Sequence, residues 1–488
     1  MFGSLDEILE DIEGAPDGPE VAAFFDFDNT LIAGYSVSAF LREQLLSGAM
    51  SPQEIGVQAA ATARYSLGQL GFSGLVSETA KSLRGQAEYT FEEFSERVFK
   101  KHVAGAIYPE ARDILEAHRE KGHTIAIVSS ATRYQIEPAA RELEIDYILC
   151  TELEVEDGVF TGRVVRPTCW GDGKRTYAES FAKDFDIKMR ESFFYTDSHE
   201  DLPLLEAVGR PRVLNPNSKL TRIGRQRSYP MFRFRSRGRP TIGQIARTGA
   251  VYSSMPSFLA ATLPIWALTG RKRDMLNTTL GFWAEYSAAI AGIRINIEGE
   301  ANLWEQRPAV FIFNHQSALD ALIIAKLVKR DFTGIGKKEI ASYPVLGQLF
   351  KFADVVFIDR KNTDSAIEAM KPVVDALQND GLSVALAPEG TRSPARSLGR
   401  FKKGAFHIAM QAKAPIVPII IHNAADSLPK GRRIARPADI DVTVLDPIDT
   451  SKWKAKDLDK HIDAVRDLFL ETLGQEDHVE TEFATAQA

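Results

Sequence analysis

Short apolar runs alternate with helix-patterned stretches along most of this chain, and they form two successive groups. The first group of runs lies at 21–27, 124–128, 147–150, 192–195 and 212–214. The second group lies at 309–313, 332–335, 355–358, 382–387, 416–421 and 440–445. Buried strands separated by helices are typical of parallel α/β sheets, so the pattern predicts two α/β domains in series.

The size and composition agree with a folded protein of several domains. The chain has 488 residues, of which 44% are hydrophobic and 26% charged, and this excludes a disordered, collagenous or disulfide-scaffold protein. Its two cysteines, Cys150 and Cys169, are too few for a disulfide framework and favour a reducing compartment. The first 20 residues lack a basic segment followed by an apolar run, so we expect no secretory signal and an intracellular protein.

The charge is distributed unevenly. Residues 207–273 hold 14 Lys and Arg and no Asp or Glu, so with a total of −7 the remaining residues carry −21. Such a basic block predicts an anionic partner, either nucleic acid or an acidic lipid surface. No nucleic-acid-binding module is recognisable near it, so we expect no nucleic acid partner. We interpret 216–247 as a basic interdomain linker.

An uncharged segment inside the block favours the lipid surface. Residues 248–270 carry no charge, and 275–293 are apolar apart from Glu285. The first segment is long enough to span a bilayer, but Pro256, Pro264 and several hydroxyl side chains weaken its hydropathy. We interpret 248–293 as a helical hairpin that dips into one leaflet and meets acidic headgroups through its basic flanks. The alternative is a buried helical pair in a soluble core.

The first group of candidate catalytic residues begins where the apolar run 21–27 ends. Alternation along a strand places the Asp26 and Asp28 carboxylates on the same side of the chain. Two carboxylates at a strand end suit a nucleophile, a general acid/base and a hard cation. Later strands and turns of the same domain supply further polar residues, namely Ser129, Lys174, Asp197 and Asp201.

Together these residues resemble the haloacid-dehalogenase-like phosphatases, specifically the phosphoserine-phosphatase-like branch (subfamily IB). The four motifs occur in the order of that family. The resemblance implies a Rossmann-like domain over 1–215 with a helical cap at about 34–105. It also implies that Asp26 attacks phosphorus, that Asp28 protonates the leaving group and then activates water, and that Ser129 and Lys174 hold the phosphoryl oxygens.

The same resemblance implies a Mg²⁺ ion. Asp26, the carbonyl of Asp28 and Asp197 would bind it, with Asp201 in support. Thr196 stands where many members of the family have glycine, which leaves the choice of substrate open. The alternative is a phosphatase fold kept as a regulatory binding module without turnover.

The second group of candidate catalytic residues follows the apolar run 309–313. His315 precedes Asp320 by five positions, near a turn that enters a helix. A carboxylate at this spacing can hold the imidazole in one tautomer and leave its other nitrogen free to take a proton. Because no Ser or Cys nucleophile motif accompanies this pair, we expect His315 to activate a substrate hydroxyl directly.

Basic and hydroxyl residues at other strand ends suit a phosphate group. Arg360 ends one strand, and the turn 388–393 offers backbone N–H groups, the Thr391 hydroxyl and the Arg392 guanidinium. Guanidinium groups donate two parallel hydrogen bonds to phosphate. Lys337 or Lys338 adds a further candidate contact.

Residues of about 250–450 are similar to the glycerophospholipid acyltransferases, most of all to bacterial lysophosphatidate acyltransferases. The H-x4-D motif is His315 and Asp320, and the segments 357–360, 388–393 and 414–418 match the three later blocks in order. The resemblance implies an α/β acyltransferase domain over 248–475, with a membrane-binding helical pair at 248–293 and a flexible tail at 476–488. The implied acceptor phosphate site consists of Arg360, Glu389, Gly390, Thr391 and Arg392.

The sequence therefore predicts a membrane-bound fusion of two enzymes. We expect acyl transfer from acyl-CoA or acyl carrier protein to lysophosphatidate, which gives phosphatidate, at the cytoplasmic face of the cell membrane. The attachment would be monotopic or peripheral. Two alternatives stay open: the phosphatase is the main activity and the C-terminal domain anchors it, or the N-terminal domain only regulates.

Overall fold

The computed structural model describes residues 2–48, 72–337, 341–342, 346–352, 355–358 and 363–475. The chain forms two compact units, Met1–Arg239 and Pro240–Ala488. Each unit contains a largely parallel sheet covered by helices, which confirms the predicted α/β architecture.

Among the described residues, the first unit contains nine α-helices and eight strands. In chain order they are α1 (Leu5–Glu13), β1 (Ala22–Phe25), α2 (Ser36–Ser47), α3 (Phe72–Ser82), α4 (Glu88–Val98), α5 (Pro109–Glu120), β2 (Thr124–Thr132), α6 (Arg133–Glu142), β3 (Tyr147–Thr151), β4 (Leu153–Glu156), β5 (Val159–Val164), α7 (Asp172–Asp184), β6 (Phe193–Thr196), α8 (Leu202–Ala207), β7 (Arg210–Leu214), α9 (Ser218–Gln226) and β8 (Met231–Phe232). The helices α2, α3 and α4 lie where the cap is predicted, and residues 49–71 of that region lie outside the described residues.

The sheet of this unit has the strand order β3-β2-β1-β6-β7-β8, and its described pairings are parallel. All four residues of β1 are buried, which explains the uninterrupted apolar run that predicts this strand. Phe25 is in register with Ile127 of β2 and Tyr195 of β6, so the carboxyl ends of three strands meet at one edge. The hairpin β4–β5 was not predicted, because its strands are only partly buried and lack a continuous apolar run.

The predicted linker 216–247 is wrong over much of its length, because α9 and β8 belong to the first unit. Strand β8 extends the sheet through the pairing of Met231 with Val213. Leu220 and Met231 are buried in the core beneath the sheet, while arginines such as Arg222 and Arg225 are exposed. The few apolar positions of this segment lie among many arginines, so they form no recognisable strand or helix pattern in the sequence.

The second unit contains a seven-stranded sheet with the order β12-β11-β13-β10-β14-β15-β9, in which only the described pairing of β14 with β15 is antiparallel. Its elements are α10 (Ile242–Thr269), α11 (Lys272–Ala291), β9 (Ile293–Glu298), α12 (Asn302–Glu305), β10 (Val310–Phe313), α13 (Asp320–Val328), β11 (Phe332–Lys337), α14 (Leu346–Phe352), β12 (Val356–Ile358), α15 (Thr363–Gln378), β13 (Ser383–Leu386), α16 (Gly404–Ala412), β14 (Ile416–Ile421), α17 (Ala424–Ser427), β15 (Ala438–Val444) and α18 (Leu458–Leu473).

Helices α10 and α11 form the predicted helical pair. A capping box at Thr241 starts α10 at Ile242, six residues before the predicted start, and Gly270 ends it in the left-handed conformation. The hydroxyl groups of Thr262 and Thr279 lie 2.5 Å apart and join the two helices. Among the described residues α10 is long and apolar enough to cross a bilayer by length and composition, with a mean hydropathy of 1.2 and 6% of that window buried.

A buried chain of hydrogen bonds links α5 to the sheet of the first unit. His118 is fully buried, with Nδ1 2.8 Å from Nδ1 of His123 and Nε2 2.9 Å from the hydroxyl of Tyr195. Nε2 of His123 lies 2.8 Å from the carbonyl oxygen of Pro16, which can only accept. Burial lowers the pKa of both histidines and favours neutral rings. In that state His123 donates from Nε2 to Pro16, and His118 donates from Nδ1 to His123 and accepts from the Tyr195 hydroxyl.

Burial of His118 predicts a pH-dependent contribution of this residue to the stability of the first unit. Burial lowers the pKa of His118 well below its usual value, whereas the unfolded chain takes up the proton as the pH falls through about 6.5. The contribution of His118 to stability should therefore fall below that pH by up to about 1.4 kcal/mol per pH unit, while the buried carboxyls of Asp28 and Asp197, whose pKa is raised to about 7 and about 8, act in the opposite direction. The measurement is the difference between the thermal unfolding midpoints of the wild type and His118→Gln, in which the contributions of the carboxyls cancel. The wild type should lose stability relative to His118→Gln between pH 7.5 and 5.5, and a constant difference over that range would contradict the prediction.

Candidate functional site

The second unit brings His315 and Asp320 into contact. His315 lies in the loop after β10, and Asp320 is the first residue of α13. Nδ1 of His315 lies 2.7 Å from Oδ2 of Asp320, whose side chain is fully buried. The same oxygen accepts the backbone N–H groups of Gln316 at 2.8 Å and Ser317 at 2.9 Å. Nδ1 of His315 therefore donates to the carboxylate, and Nε2 is the basic nitrogen.

The His315 loop is fastened to the neighbouring strand β14. The side chain of Asn314 donates to the carbonyl of Ile421 at 2.8 Å and accepts its N–H at 2.7 Å. Gln316 donates to the same carbonyl at 3.1 Å, and the hydroxyl of Ser317 donates to Leu428 at 2.7 Å. Sequence reasoning missed these positioning residues. Their signal was a polar side chain on either side of a histidine that follows an apolar strand.

Glu389 joins the turn after β13 to His315. Its Oε1 accepts the N–H of His315 at 2.6 Å, and its Oε2 accepts the N–H of Gly399 at 3.1 Å. The N–H of Ser393 donates to the carbonyl of His315 at 2.7 Å. Burial raises the pKa of Glu389 to about 7. Because both carboxylate oxygens hold backbone N–H groups, Glu389 positions His315, a role that the sequence analysis did not assign.

The remaining predicted phosphate residues are placed in part. Gly390 has a φ of +74°, and Thr391 beside it is exposed. The carbonyl oxygen of Arg392 accepts a hydrogen bond from the ammonium group of Lys430 at 2.6 Å. Lys337 is the last residue of β11 and pairs with Ile358. Arg360 and Lys338 lie outside the described residues.

In the first unit, a buried lysine bridges two carboxylates at the edge of the sheet. Nζ of Lys174 lies 2.8 Å from Oδ1 of Asp26 and 2.8 Å from Oδ2 of Asp201. Burial lowers the pKa of Lys174, but the two carboxylates raise it above its usual value. Thr196 donates its hydroxyl to Asp201 at 2.5 Å, so the residue that departs from the family pattern holds this aspartate. Ser129, buried within the neighbouring strand β2, accepts a hydrogen bond from the N–H of Ala131 at 3.3 Å.

Asp28 is held by the first residue of α2, which sequence reasoning also missed. The N–H of Ser36 donates to Oδ1 of Asp28 at 2.7 Å, and its hydroxyl lies 3.3 Å from Oδ2. Gln135 of α6 in turn donates to the Ser36 hydroxyl at 3.3 Å. Burial raises the pKa of Asp28 to about 7. No distinctive sequence motif marks Ser36, since its role depends on how α2 packs.

The donors at this edge fit a hard divalent cation. Burial, with the charges of Asp26 and Asp201, raises the pKa of Asp197 to about 8, and a cation would relieve this repulsion. Within the described residues, no three His, Cys, Asp or Glu side chains form a metal-binding group. The implied site needs only two, from Asp26 and Asp197, with the backbone carbonyl of Asp28. Oδ2 of Asp201 is already engaged by Lys174 and Thr196.

Comparisons with known proteins match both units. The sequence model of the haloacid dehalogenase-like hydrolases matches residues 23–206, and the model named Acyltransferase matches residues 294–422. A 1-acyl-sn-glycerol-3-phosphate acyltransferase of Limnanthes douglasii is 38% identical over 184 residues, which cover 38% of this chain and 65% of the relative. The chain thus spans slightly less than two thirds of that plant relative.

A mammalian relative is covered further. The mouse 1-acyl-sn-glycerol-3-phosphate acyltransferase alpha is 33% identical over 219 residues, which cover 44% of this chain and 76% of the relative. The crystal structure of the 1-acyl-sn-glycerophosphate acyltransferase of Thermotoga maritima aligns with 21% identity and a TM-score of 0.40, over 48% of this chain and 99% of that structure. The chain therefore belongs to the 1-acyl-sn-glycerol-3-phosphate acyltransferase family and carries a haloacid dehalogenase-like hydrolase domain in its first unit.

Proposed function

We propose that the second unit transfers an acyl group from a thioester, acyl-CoA or acyl carrier protein, to the free hydroxyl of lysophosphatidate and so makes phosphatidate. The observation that carries the proposal is the 2.7 Å contact between His315 and the buried carboxylate of Asp320. This contact leaves Nε2 of His315 as the base, and Glu389 and Ser393 tie the turn 388–393 to the backbone of His315. The relatives of this family support lysophosphatidate as the acceptor.

The proposed reaction needs one base and no covalent enzyme intermediate. Nε2 of His315 takes the proton of the acceptor hydroxyl as the oxygen attacks the thioester carbonyl. The C–S bond then breaks, and the imidazolium returns its proton to the leaving thiolate. Asp320 keeps Nδ1 protonated and stabilises the imidazolium, and its own burial makes that ion pair stronger than it would be in water.

The acceptor phosphate is proposed to bind at the turn after β13. The exposed Thr391 can donate a hydrogen bond from its hydroxyl, and Arg392 supplies a guanidinium. Lys337, at the end of β11, and Arg360 complete the proposed set. A phosphate held here would direct the acceptor hydroxyl towards His315, because Glu389 and Ser393 tie this turn to the His315 backbone.

We further propose that the first unit is a phosphatase. Asp26 would attack phosphorus and form an aspartyl-phosphate, and Asp28 would protonate the leaving group and then take a proton from water. Lys174 and Ser129 would hold the phosphoryl oxygens, and bound Mg²⁺ would supply further charge stabilisation. The 2.8 Å contact of Lys174 with Asp26 supports this assignment, because it places a cation beside the nucleophile.

We propose that the chain binds the cytoplasmic face of the cell membrane, as a monotopic or peripheral protein. Large apolar side chains of the helical pair are exposed, among them Tyr252, Leu263, Leu268 and Phe282. The same unit carries the exposed Arg247 on α10 and the exposed Arg271 just after that helix, and both suit acidic headgroups. Such a surface would let an apolar acceptor and acyl chain reach His315 from the lipid.

The acyltransferase proposal predicts that the two activities separate by mutation. In anionic vesicles with labelled acyl-CoA and lysophosphatidate, the wild type should make phosphatidate, and His315→Ala should lower the rate by about 10³-fold or more because the base is lost. Asp26→Asn and the matched control His407→Ala should keep the wild-type rate. A wild type that is inactive with every donor and acceptor tried would sink the proposal and leave the phosphatase as the main activity.

The phosphatase proposal predicts release of phosphate that requires Mg²⁺. With p-nitrophenyl phosphate as the probe, Asp26→Asn should lose about 10³-fold or more of the rate, because an amide cannot attack phosphorus. Asp172→Asn, an exposed aspartate of the same unit, serves as the control and should be unaffected. Chelation of Mg²⁺ should stop phosphate release while acyl transfer continues. If a panel of phosphate esters yields no Mg²⁺-dependent release, the first unit is a regulatory module instead.

A further inference from the structure

Lys402 lies directly over the turn that contains Gly390. Its Nζ is 3.0 Å, its Cδ 3.1 Å and its Cε 3.2 Å from the point where a Cβ on residue 390 would stand. The backbone N–H of Lys402 donates to the carbonyl of Pro388 at 2.8 Å, which joins the two segments. The absence of a side chain at Gly390 therefore makes room for the lysine to cross the turn.

The charge of Lys402 is available for a ligand. Lys402 is exposed, and no ion pair of its ammonium with a carboxylate is found in the part of the chain that the structure describes. The adjacent Lys403 differs, because its Nζ lies 2.7 Å from Oδ1 of Asp459 on α18. The two neighbouring lysines therefore differ: Lys403 forms an ion pair with Asp459, and Lys402 lies against the turn at Gly390.

The surroundings of Lys402 favour an anion. The nearest acid of the turn, Glu389, directs both carboxylate oxygens to the N–H groups of His315 and Gly399 and not to the lysine. Lys430 donates to the carbonyl of Arg392 at 2.6 Å, which brings a second ammonium to the same segment. Ammonium groups bind phosphate as compact point charges and suit a dianionic group.

We propose that Lys402 binds a phosphate group of a substrate above Gly390, next to the His315 centre. This inference rests on the acyl transfer proposed above and adds a binding residue to it. The phosphate belongs either to the lysophosphatidate acceptor or to the CoA part of the donor. In both cases the ligand group is a phosphate that the Lys402 ammonium binds above the turn at Gly390.

The test compares Lys402→Met, which keeps the apolar stem and removes the charge, with Lys402→Arg and with the matched control Lys403→Met. Loss of a charge-assisted contact should lower kcat/KM for the phosphate-bearing substrate by about 10- to 100-fold, mostly through KM. Lys402→Arg should restore most of the loss, and Lys403→Met should stay within about twofold of the wild type.

Two kinetic comparisons, one for the acceptor and one for the donor, identify the source of the phosphate. If the acceptor supplies it, the KM for lysophosphatidate rises in Lys402→Met, while any transfer to monoacylglycerol, which has no phosphate, is unchanged. If the donor supplies it, the KM for acyl-CoA rises instead. Equal kinetics of Lys402→Met and Lys403→Met with both substrates would overturn the proposal.

A binding measurement separates this inference from the acyl transfer on which it rests. CoA and sn-glycerol 3-phosphate are the probes, and the readout is the shift of the thermal unfolding midpoint of the full chain. A wild type that makes no phosphatidate contradicts the proposed activity. Lys402 still stands as a phosphate-binding residue if a probe stabilises the wild type and Lys403→Met but not Lys402→Met. If no probe distinguishes Lys402→Met from the wild type, the inference is wrong.

Discussion

The acyltransferase centre depends on one constraint, the burial of the Asp320 carboxylate without a permanent cation beside it. A buried carboxylate is costly unless hydrogen bonds replace its water, and here three N–H groups converge on Oδ2. Two of them come from the backbone of Gln316 and Ser317, so the loop after β10 must curl around the acid. The third is Nδ1 of His315, and this requirement orients the imidazole.

The turn after β13 completes the support of this loop from the other side. Glu389 accepts the N–H of His315, and Ser393 donates to its carbonyl, so both backbone polar groups of His315 are held by residues more than 70 positions later in the chain. The acid of the turn therefore holds the protein backbone, and the proposed phosphate site depends on the hydroxyl and cationic side chains of this region. Lys402 fits this division, because it reaches the turn where a glycine leaves space.

The first unit solves the problem of buried acids differently. There, Lys174 lies between Asp26 and Asp201, and its positive charge compensates the charge of the buried carboxylates. The carboxylate of Asp320 is stabilised by hydrogen bonds instead. Asp28 resembles Asp320 more closely, since it depends on the N–H and hydroxyl of Ser36. In both units the polar residues gather at the carboxyl ends of parallel strands, which is where open α/β sheets bind their ligands.

The sequence predicts the features that depend on local pattern and misses those that depend on distant contacts. Apolar runs predicted the central strands, and the spacing from His315 to Asp320 predicted their contact. The strand β8 was missed because its few apolar residues lie among arginines. The role of Glu389 was missed because its partner Gly399 becomes a neighbour only through the folded turn, and that of Ser36 because it depends on the position of α2.

The tautomer of His315 tests the central claim most directly. The full chain labelled with ¹⁵N-histidine would be studied by NMR at a pH where this imidazole is neutral, and His315→Ala would assign its signals. The account predicts that neutral His315 carries its proton on Nδ1, and that Asp320→Asn weakens this preference. A proton on Nε2 in the wild type would contradict the account, because the nitrogen that must take the acceptor proton would already hold one.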